Sequence, residues 1–402
     1  MAWGKRFGAG LALALLAGSA AAQISGDAIK IGVLNDQSGP YSDLGGKGSI
    51  AAAQLAIDEA GGKVLGKPVL LVTADHQNKP DLAASIARQW YDADGVDLIT
   101  ELTTSSVALA VQQIAAERRK VDIVVGAATS RVTGDACSAT GFHWAYDNYA
   151  LARGTGGALV ELGAKSWYFV TVDYAFGHDL EKNAADFVKA AGGKVAGSVR
   201  HPLNNADFSS FLLQAQSSGA QVVGLANAGT DTINAIKQAA EFGIVAGGQK
   251  LAAFLFTLSE VHGLGLAKAQ GLVLSEPFYW DRDEASRALA QKFFAKTGRM
   301  PNSVHAGTYS AVRAYLKAVE AAGSDDGVKV AAKLRELKVS DAFTAAGTVR
   351  ADGVLLHDMY LFEVKKPADS KQPWDYFKLL KTIPAEQAFL PLDKSDCPLV
   401  KK

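Results

Sequence analysis

Two cysteines among 402 residues cannot make a thiolate zinc site, and the seven histidines are scattered without metal-ligand spacing. The chain contains no GxSxG elbow, no Walker A sequence and no HExxH. "RGTGGAL" at 153–159 has glycines but lacks the third at dinucleotide-binding spacing and follows no opening strand of a β-α-β unit. Asp75-His76 offers half of an acid–base pair without a nucleophile, while His143 in "FHWAYD" and His178 near a helix start read as structural. Every common catalytic signature is missing at once, so the expectation is a protein that is not an enzyme and uses neither cofactor nor metal. No basic tract interrupts an even balance of 41 basic and 41 acidic side chains, which argues against nucleic acid as a partner. Beyond residue 22 no apolar run approaches the ~20 residues needed to span a bilayer.

What is present begins with a leader. Lys5 and Arg6 precede the apolar run Leu11 to Leu16, and Ala20-Ala21-Ala22 supplies small residues before Gln23. This pattern predicts a signal peptide over 1–22 and a mature protein in the periplasm. In that oxidising space Cys137 and Cys397 are expected to pair. The bridge closes a loop of ~260 residues, for which chain entropy sets an upper figure of roughly 5 kcal/mol. The length of the remainder suggests two domains.

The hydrophobic pattern alternates strand and helix. Strands are predicted at 29–34, 68–74, 96–102 and 121–128, with helices at 50–60, 80–91 and 105–117 between them. The rhythm restarts with a helix at 150–162 and continues through strands at 166–173, 195–199, 220–226, 251–256 and 271–274. Helices at 284–296, 304–322 and 328–337 follow, then strand-like text at 359–364 and 375–383. The fold class implied is α/β, with two similar Rossmann-like lobes, each a largely parallel sheet covered by helices.

Ligands of such sheets sit beyond the C-terminal strand ends, where helix N-termini offer free N–H groups. Two successive strand ends carry hydroxyls and small residues: Thr103, Thr104, Ser105 and Ser106 in "ELTTSSVALAV", and Ala127, Ala128, Thr129 and Ser130 in "VDIVVGAATS". Together they describe a site for a carboxylate-sized anion; plain helix capping is the alternative for either alone. Tyr41 projects from a Gly39-Pro40 turn. The second unit offers Tyr174, Phe176, Asn227, Ala228, Phe256 and Thr257 at its strand ends, and then the aromatics Phe278, Tyr279 and Trp280. Hydroxyls facing aromatics suit a small organic acid with an apolar body.

Several stretches resemble one family. They are "IKIGVLNDQSGPYSDLGGKGSIAAAQLAIDEAGG", "LTTSSVALAV", "GAATS", "DYAFG", "ADFSSFLLQAQSSGAQVVGLANAG" and the tail "PWDYFKLLKTIPAEQAFLPL" leading to a cysteine. The sequence is similar to periplasmic solute-binding proteins of ABC importers, branched-chain amino-acid (Leu/Ile/Val-binding) type, and to a proteobacterial subgroup with this cysteine tail. The resemblance implies the type I periplasmic binding fold, with two lobes joined by a three-crossing hinge: 23–147 with 278–348, and 148–277 with 349–402. It implies a monomer that closes on a small carboxylate ligand and delivers it to an inner-membrane ABC permease; a ligand sensor docking on a receptor is the alternative. It places the carboxylate on Thr104 (or Thr103 or Ser105), Ala127 and Thr129. Where amino-acid binders of the family carry an ammonium-binding Asp at the first crossing, this sequence has Tyr149 or Ala150. A buried ammonium without a partner is costly, so an aromatic or branched acid lacking an amine is favoured over an amino acid. Asp147 is the candidate replacement if an amine is bound, and Glu260 the nearest acid from the far lobe. Tyr41, Tyr149, Tyr174 and Phe256 are the expected walls.

Overall fold

The structure is a computed structural model that describes Met1, Trp3 and residues 23–401; the expected leader otherwise lies outside the described residues. The chain enters lobe 1 through β1 (Ile29–Asn35), α1 (Gly46–Glu59), β2 (Lys63–Val64), β3 (Lys67–Asp75), α2 (Pro80–Gln89), β4 (Leu98–Glu101), α3 (Ser105–Glu117), β5 (Val121–Val124) and β6 (Gly141–His143). These strands form one sheet in the order β2-β3-β1-β4-β5-β6. All its pairs are parallel except the β2–β3 hairpin. Strands such as β4 and β5 are buried along their whole length, which is why they read as continuous apolar runs rather than alternating ones.

The chain then crosses into lobe 2. A helical stretch made of α4 (Asn148–Leu151), a wide turn over Ala152–Gly157 and α5 (Ala158–Glu161) is followed by β7 (Ser166–Val172), α6 (Ala175–Ala190), β8 (Lys194–His201), α7 (Ser209–Ser217), β9 (Val222–Ala226), α8 (Gly229–Glu241), β10 (Lys250–Ala253), α9 (Leu258–Leu264), α10 (Leu266–Ala269) and β11 (Val273–Glu276). The glycines of "RGTGG" have a packing reason: a Cβ on Gly154 would run into Ser275 of β11, and Thr155 Oγ1 donates to Ser275 Oγ at 3.0 Å.

Returning to lobe 1, the chain makes α11 (Glu284–Thr297), α12 (Ser303–Ala322), α13 (Gly327–Glu336) and a small antiparallel sheet of β12 (Lys338–Val339), β13 (Gly347–Val349) and β14 (Leu355–Leu356). It crosses last into β15 (Met359–Val364) and β16 (Phe377–Ile383), antiparallel strands that complete the lobe 2 sheet in the order β16-β15-β11-β10-β9-β7-β8, before the short α14 (Ala385–Ala388). Three crossings therefore join the lobes, at 144–147, 277–283 and 357–358. His357 of the third sits beside Trp144 of the first, its Nε2 3.2 Å from the Trp144 carbonyl.

Two features depart from the expected lobe boundaries, the second of them as pairing of Cys137 with Cys397 requires. The third crossing lies later than 348, because Val349 pairs with Leu355 and His143 bridges Val354, which hold the chain in lobe 1 through β14. The tail after β16 does not stay with lobe 2. Arg350 donates to the Leu390 carbonyl at 2.6 Å, and Cys397 bonds to Cys137 with their Cα atoms 5.6 Å apart, which brings the tail back onto lobe 1. Replacing both cysteines by serine is expected to lower stability by about 2–4 kcal/mol in denaturant titration. The ligand cleft, which the bridge does not touch, should be unaffected.

Candidate functional site

Parallel strands of both lobes end facing each other, and the helices that follow them start there. Thr104, Tyr174, Ala228 and Thr257 are the N-cap residues of α3, α6, α8 and α9. At α3, α6 and α8 the cap residue makes no side-chain hydrogen bond to its own helix, so the positive ends of three helix dipoles meet the cleft without an internal cap.

The turn that carries Tyr41 is built on Asp36. Its carboxylate accepts from Gly39 N at 2.8 Å, Tyr41 N at 2.9 Å and Asn78 Nδ2 at 2.6 Å. Tyr41 then reaches across the cleft, its hydroxyl 2.7 Å from that of Tyr174. Beside this pair Thr230 N donates to the Pro40 carbonyl at 3.1 Å, an approach that needs Gly229, where φ is +61° and a Cβ would strike Pro40. Farther along, Asn302 Nδ2 reaches Ser259 Oγ at 3.1 Å and Thr257 Oγ1 at 3.3 Å. The lobes are shut on one another, and the cavity left between them is about 10 Å³, the size of one water.

Seven expected residues line that cavity: Tyr41, Thr103, Ser105, Ala128, Tyr174, Phe176 and Ala228, together with Leu44, Gly126 and Leu255. The others stand nearby in different roles. Thr104 hydrogen-bonds Asn78, the Ala127 carbonyl faces His143 Nε2 at 2.7 Å, and Thr129 caps a short turn through Arg131 N. Asn227 accepts from Thr232 Oγ1 at 2.6 Å and meets His201, inside lobe 2. Phe256 is fully buried, and Thr257 forms a capping box with Glu260. Asp147 accepts from Ala150 N at 2.7 Å, capping α4, and burial raises its pKa to about 7. Tyr149 packs edge-on against Phe187, about three turns along α6 from the cleft end. Neither Asp147 nor Tyr149 lines the cavity.

The residues that the sequence reading passed over, Glu101 and Glu276, are acids, and they stand with Glu260, which it had named. Glu101, the first letter of "ELTTSS", is fully buried at the end of β4 with φ +81°, and Leu102 follows at φ +55°. Such backbone is costly for a side-chain-bearing residue and collects at functional sites. Its carboxyl accepts from Thr103 Oγ1 at 2.6 Å and Ser49 Oγ at 3.3 Å, in space that a Cβ on Gly45 would occupy. Glu276 ends β11 and accepts from Leu258 N at 3.2 Å; Glu260 Oε2 accepts from Thr257 N at 2.7 Å. Burial pushes Glu101 and Glu260 up to about 7 and Glu276 to about 8. The signal in the sequence was an acid closing a short strand that is buried along its whole length, LITE for Glu101 and VLSE for Glu276, at the place where parallel sheets meet ligands.

Among the described residues no cluster has the makings of a metal site, and no helix is long and apolar enough to cross a membrane. Residues 28–371 match the periplasmic binding protein family. The crystal structure of a periplasmic binding protein from Burkholderia mallei is 55% identical, with a TM-score of 0.90 over 93% of this chain and 100% of that one. A branched chain amino acid ABC transporter periplasmic ligand-binding protein from Burkholderia xenovorans LB400 is 43% identical, with a TM-score of 0.85 and the same coverage. Leu/Ile/Val-binding protein homolog 6 of Brucella melitensis is 28% identical over 372 residues, 89% of this chain and 92% of that protein. A solute binding protein of an ABC transporter from R. palustris, crystallised with benzoate, shares the fold at 22% identity and a TM-score of 0.83, across 92% of this chain and all of that one. The match runs through both lobes and all three crossings: this chain belongs to the periplasmic binding protein family, in its branched-chain amino-acid ABC-transporter branch.

Proposed function

We propose that this protein captures a small carboxylate-bearing solute with an apolar body, aromatic or branched, by closing its lobes on it, and delivers it to an inner-membrane ABC permease. The observation that carries this reading is the pairing of surfaces at the cleft. Lobe 1 presents the start of α3 with Thr103, Ser105, Gly126 and Ala128; lobe 2 presents Tyr174, Phe176, Ala228 and Leu255. The first surface supplies N–H and hydroxyl donors to an anion, and its small residues allow close approach to the backbone. The second supplies aromatic and aliphatic area.

A cavity the size of one water admits no solute, so capture requires the lobes to swing apart about the three crossings and close again. The Tyr41–Tyr174, Thr230–Pro40 and Asn302–Ser259 bonds are among the contacts that must break and re-form. The relatives' names support the class: one is described as a branched chain amino acid ABC transporter periplasmic ligand-binding protein, and a more distant neighbour was crystallised with benzoate.

Thermal unfolding of ligand-stripped protein tests the reading. Branched or benzoate-type carboxylates at ~100 times their dissociation constant are expected to add about 2.7 kcal/mol of stability. Absence of any shift across the panel would refute it. Ala128→Trp is expected to fill the closed cleft, weaken the best ligand by at least about tenfold and enlarge the protein in small-angle scattering, with the helix content unchanged. Unaltered affinity would move the site elsewhere.

A further inference from the structure

The lobe 2 sheet has a second end, away from the cleft. Parallel β10 and β11 begin there, β15 ends there and β16 starts back. Helix α8 spans the distance between the two ends. Ala228 at its N-cap lines the cleft, and Ala240 in its last turn lines a groove of about 840 Å³ at the far end. That is much more room than the closed cleft retains, and it falls in the ~300–1,000 Å³ range of ordinary small-molecule sites. No described residue lines both cavities.

The groove exists because the side chains around it are short. Ala240, Ala246, Ala267 and Gly271 are exposed along its walls. Its floor is the edge of the lobe 2 core: Ile236, Leu251, Leu272 and Val364, between 1% and 4% exposed. Val245 stands up from one wall at 51% exposure, on a turn flanked by Gly243 and Gly248 with φ of +67° and +98°. An apolar floor and wall rimmed by charge is the surface pattern of an interaction site.

The rim is cationic. Lys268, Lys365, Lys366 and Lys378 line it, against Glu363 and Asp369. Lys365 is held by Asp375. The other three lysines have no ion-pair partner among the described residues; Lys378 makes none with Glu363, although the two are partners in the β15–β16 register. Sheet order separates apolar from charged. In the sequence β16-β15-β11-β10, the α8 and β10 residues Ala240 and Leu251 stand at one side, and Lys366 and Lys378 of the β15–β16 hairpin at the other. Three strand spacings, about 14 Å, lie between β10 and β16.

We propose that this groove is a second binding site, separate from the cleft, for a single-chain amphipath with an anionic head, of the medium-chain fatty-acid class. The tail lies over Leu251 and Leu272 against Ala240 and Val245. The carboxylate sits among Lys366, Lys378 and Lys268, which supply the positive charge that the groove's own acids do not use. The two-sided layout selects this class: a purely apolar solute leaves the lysines unanswered, and a small anion leaves the trough open to water.

Calorimetric titration of ligand-stripped protein with octanoate, decanoate and dodecanoate, below their micellar concentrations, tests the site. Affinity is expected to rise with length, by up to about fourfold per buried methylene. Dodecyltrimethylammonium is expected to bind at least about tenfold more weakly than dodecanoate. Val245→Asp and, separately, Ala240→Asp replace exposed residues and should each weaken dodecanoate by about tenfold or more, while leaving a cleft ligand's affinity unchanged. Ala128→Trp, placed in the cleft, should leave dodecanoate within about twofold of the wild type.

Dodecanoate binding that Ala128→Trp removes and Val245→Asp spares would put the amphipath in the cleft and overturn the second site. So would absence of heat with every chain length, or equal affinity for the cationic amphipath. A dimer in sedimentation that Val245→Asp dissociates would make the groove a contact between two copies and overturn it as well. None of these failures touches the carboxylate reading of the cleft.

Discussion

Keeping a carboxyl group out of water is the constraint around which the cleft is arranged. Glu101 is buried because β4 is a central strand, and it can stay there only because its neighbours make room. Gly45 leaves space for one oxygen, Thr103 and Ser49 hydrogen-bond the group, and the chain adopts positive φ at Glu101 and Leu102 to leave the strand. The same turn delivers Thr103 and Thr104 to the start of α3. The hydroxyl cluster conspicuous in the sequence is thus positioned by the acid that precedes it.

The fold was legible because its signals are local and repeated. Alternation of buried strands with amphipathic helices gave both lobes, and α3 and β15 fall on the expected residues. Thr103, Ser105, Ala128, Tyr41, Tyr174, Phe176 and Ala228 were legible as cleft residues because strand ends of a parallel sheet point one way. The acids were not. An acidic letter in a strand reads as solvent-facing, and only the sheet order shows that β4 has neighbours on both sides and helices over both faces. Tyr149 packs its ring against Phe187 of α6, a contact between distant segments that one stretch of sequence does not show. The segment 338–356 was unreadable because its strands are two or three residues long, too short to show a period.

The hinge combines rigidity with few covalent paths. Trp144 and His357 on different crossings touch, which ties the first crossing to the third. The second crossing is clasped by Trp280 Nε1 and Tyr279 OH, which both donate to the Trp374 carbonyl on the β15–β16 connection. Arg282 adds a link back to lobe 1 through the Phe343 carbonyl at 2.9 Å. The crossings themselves are short extended segments, and the helix N-termini that face the cleft each belong to one lobe.

The bridge between Cys137 and Cys397 gives assembly a sense of order. Cys137 is made long before its partner, between two strands of lobe 1, and all of lobe 2 is synthesised before Cys397 appears. The bond forms only when the tail has passed both sheets and returned to lobe 1. A chain that stops short of Cys397, or whose second lobe is misplaced, keeps a free thiol at Cys137. The oxidation state of one cysteine therefore reports whether the whole two-lobed molecule has been made and brought together.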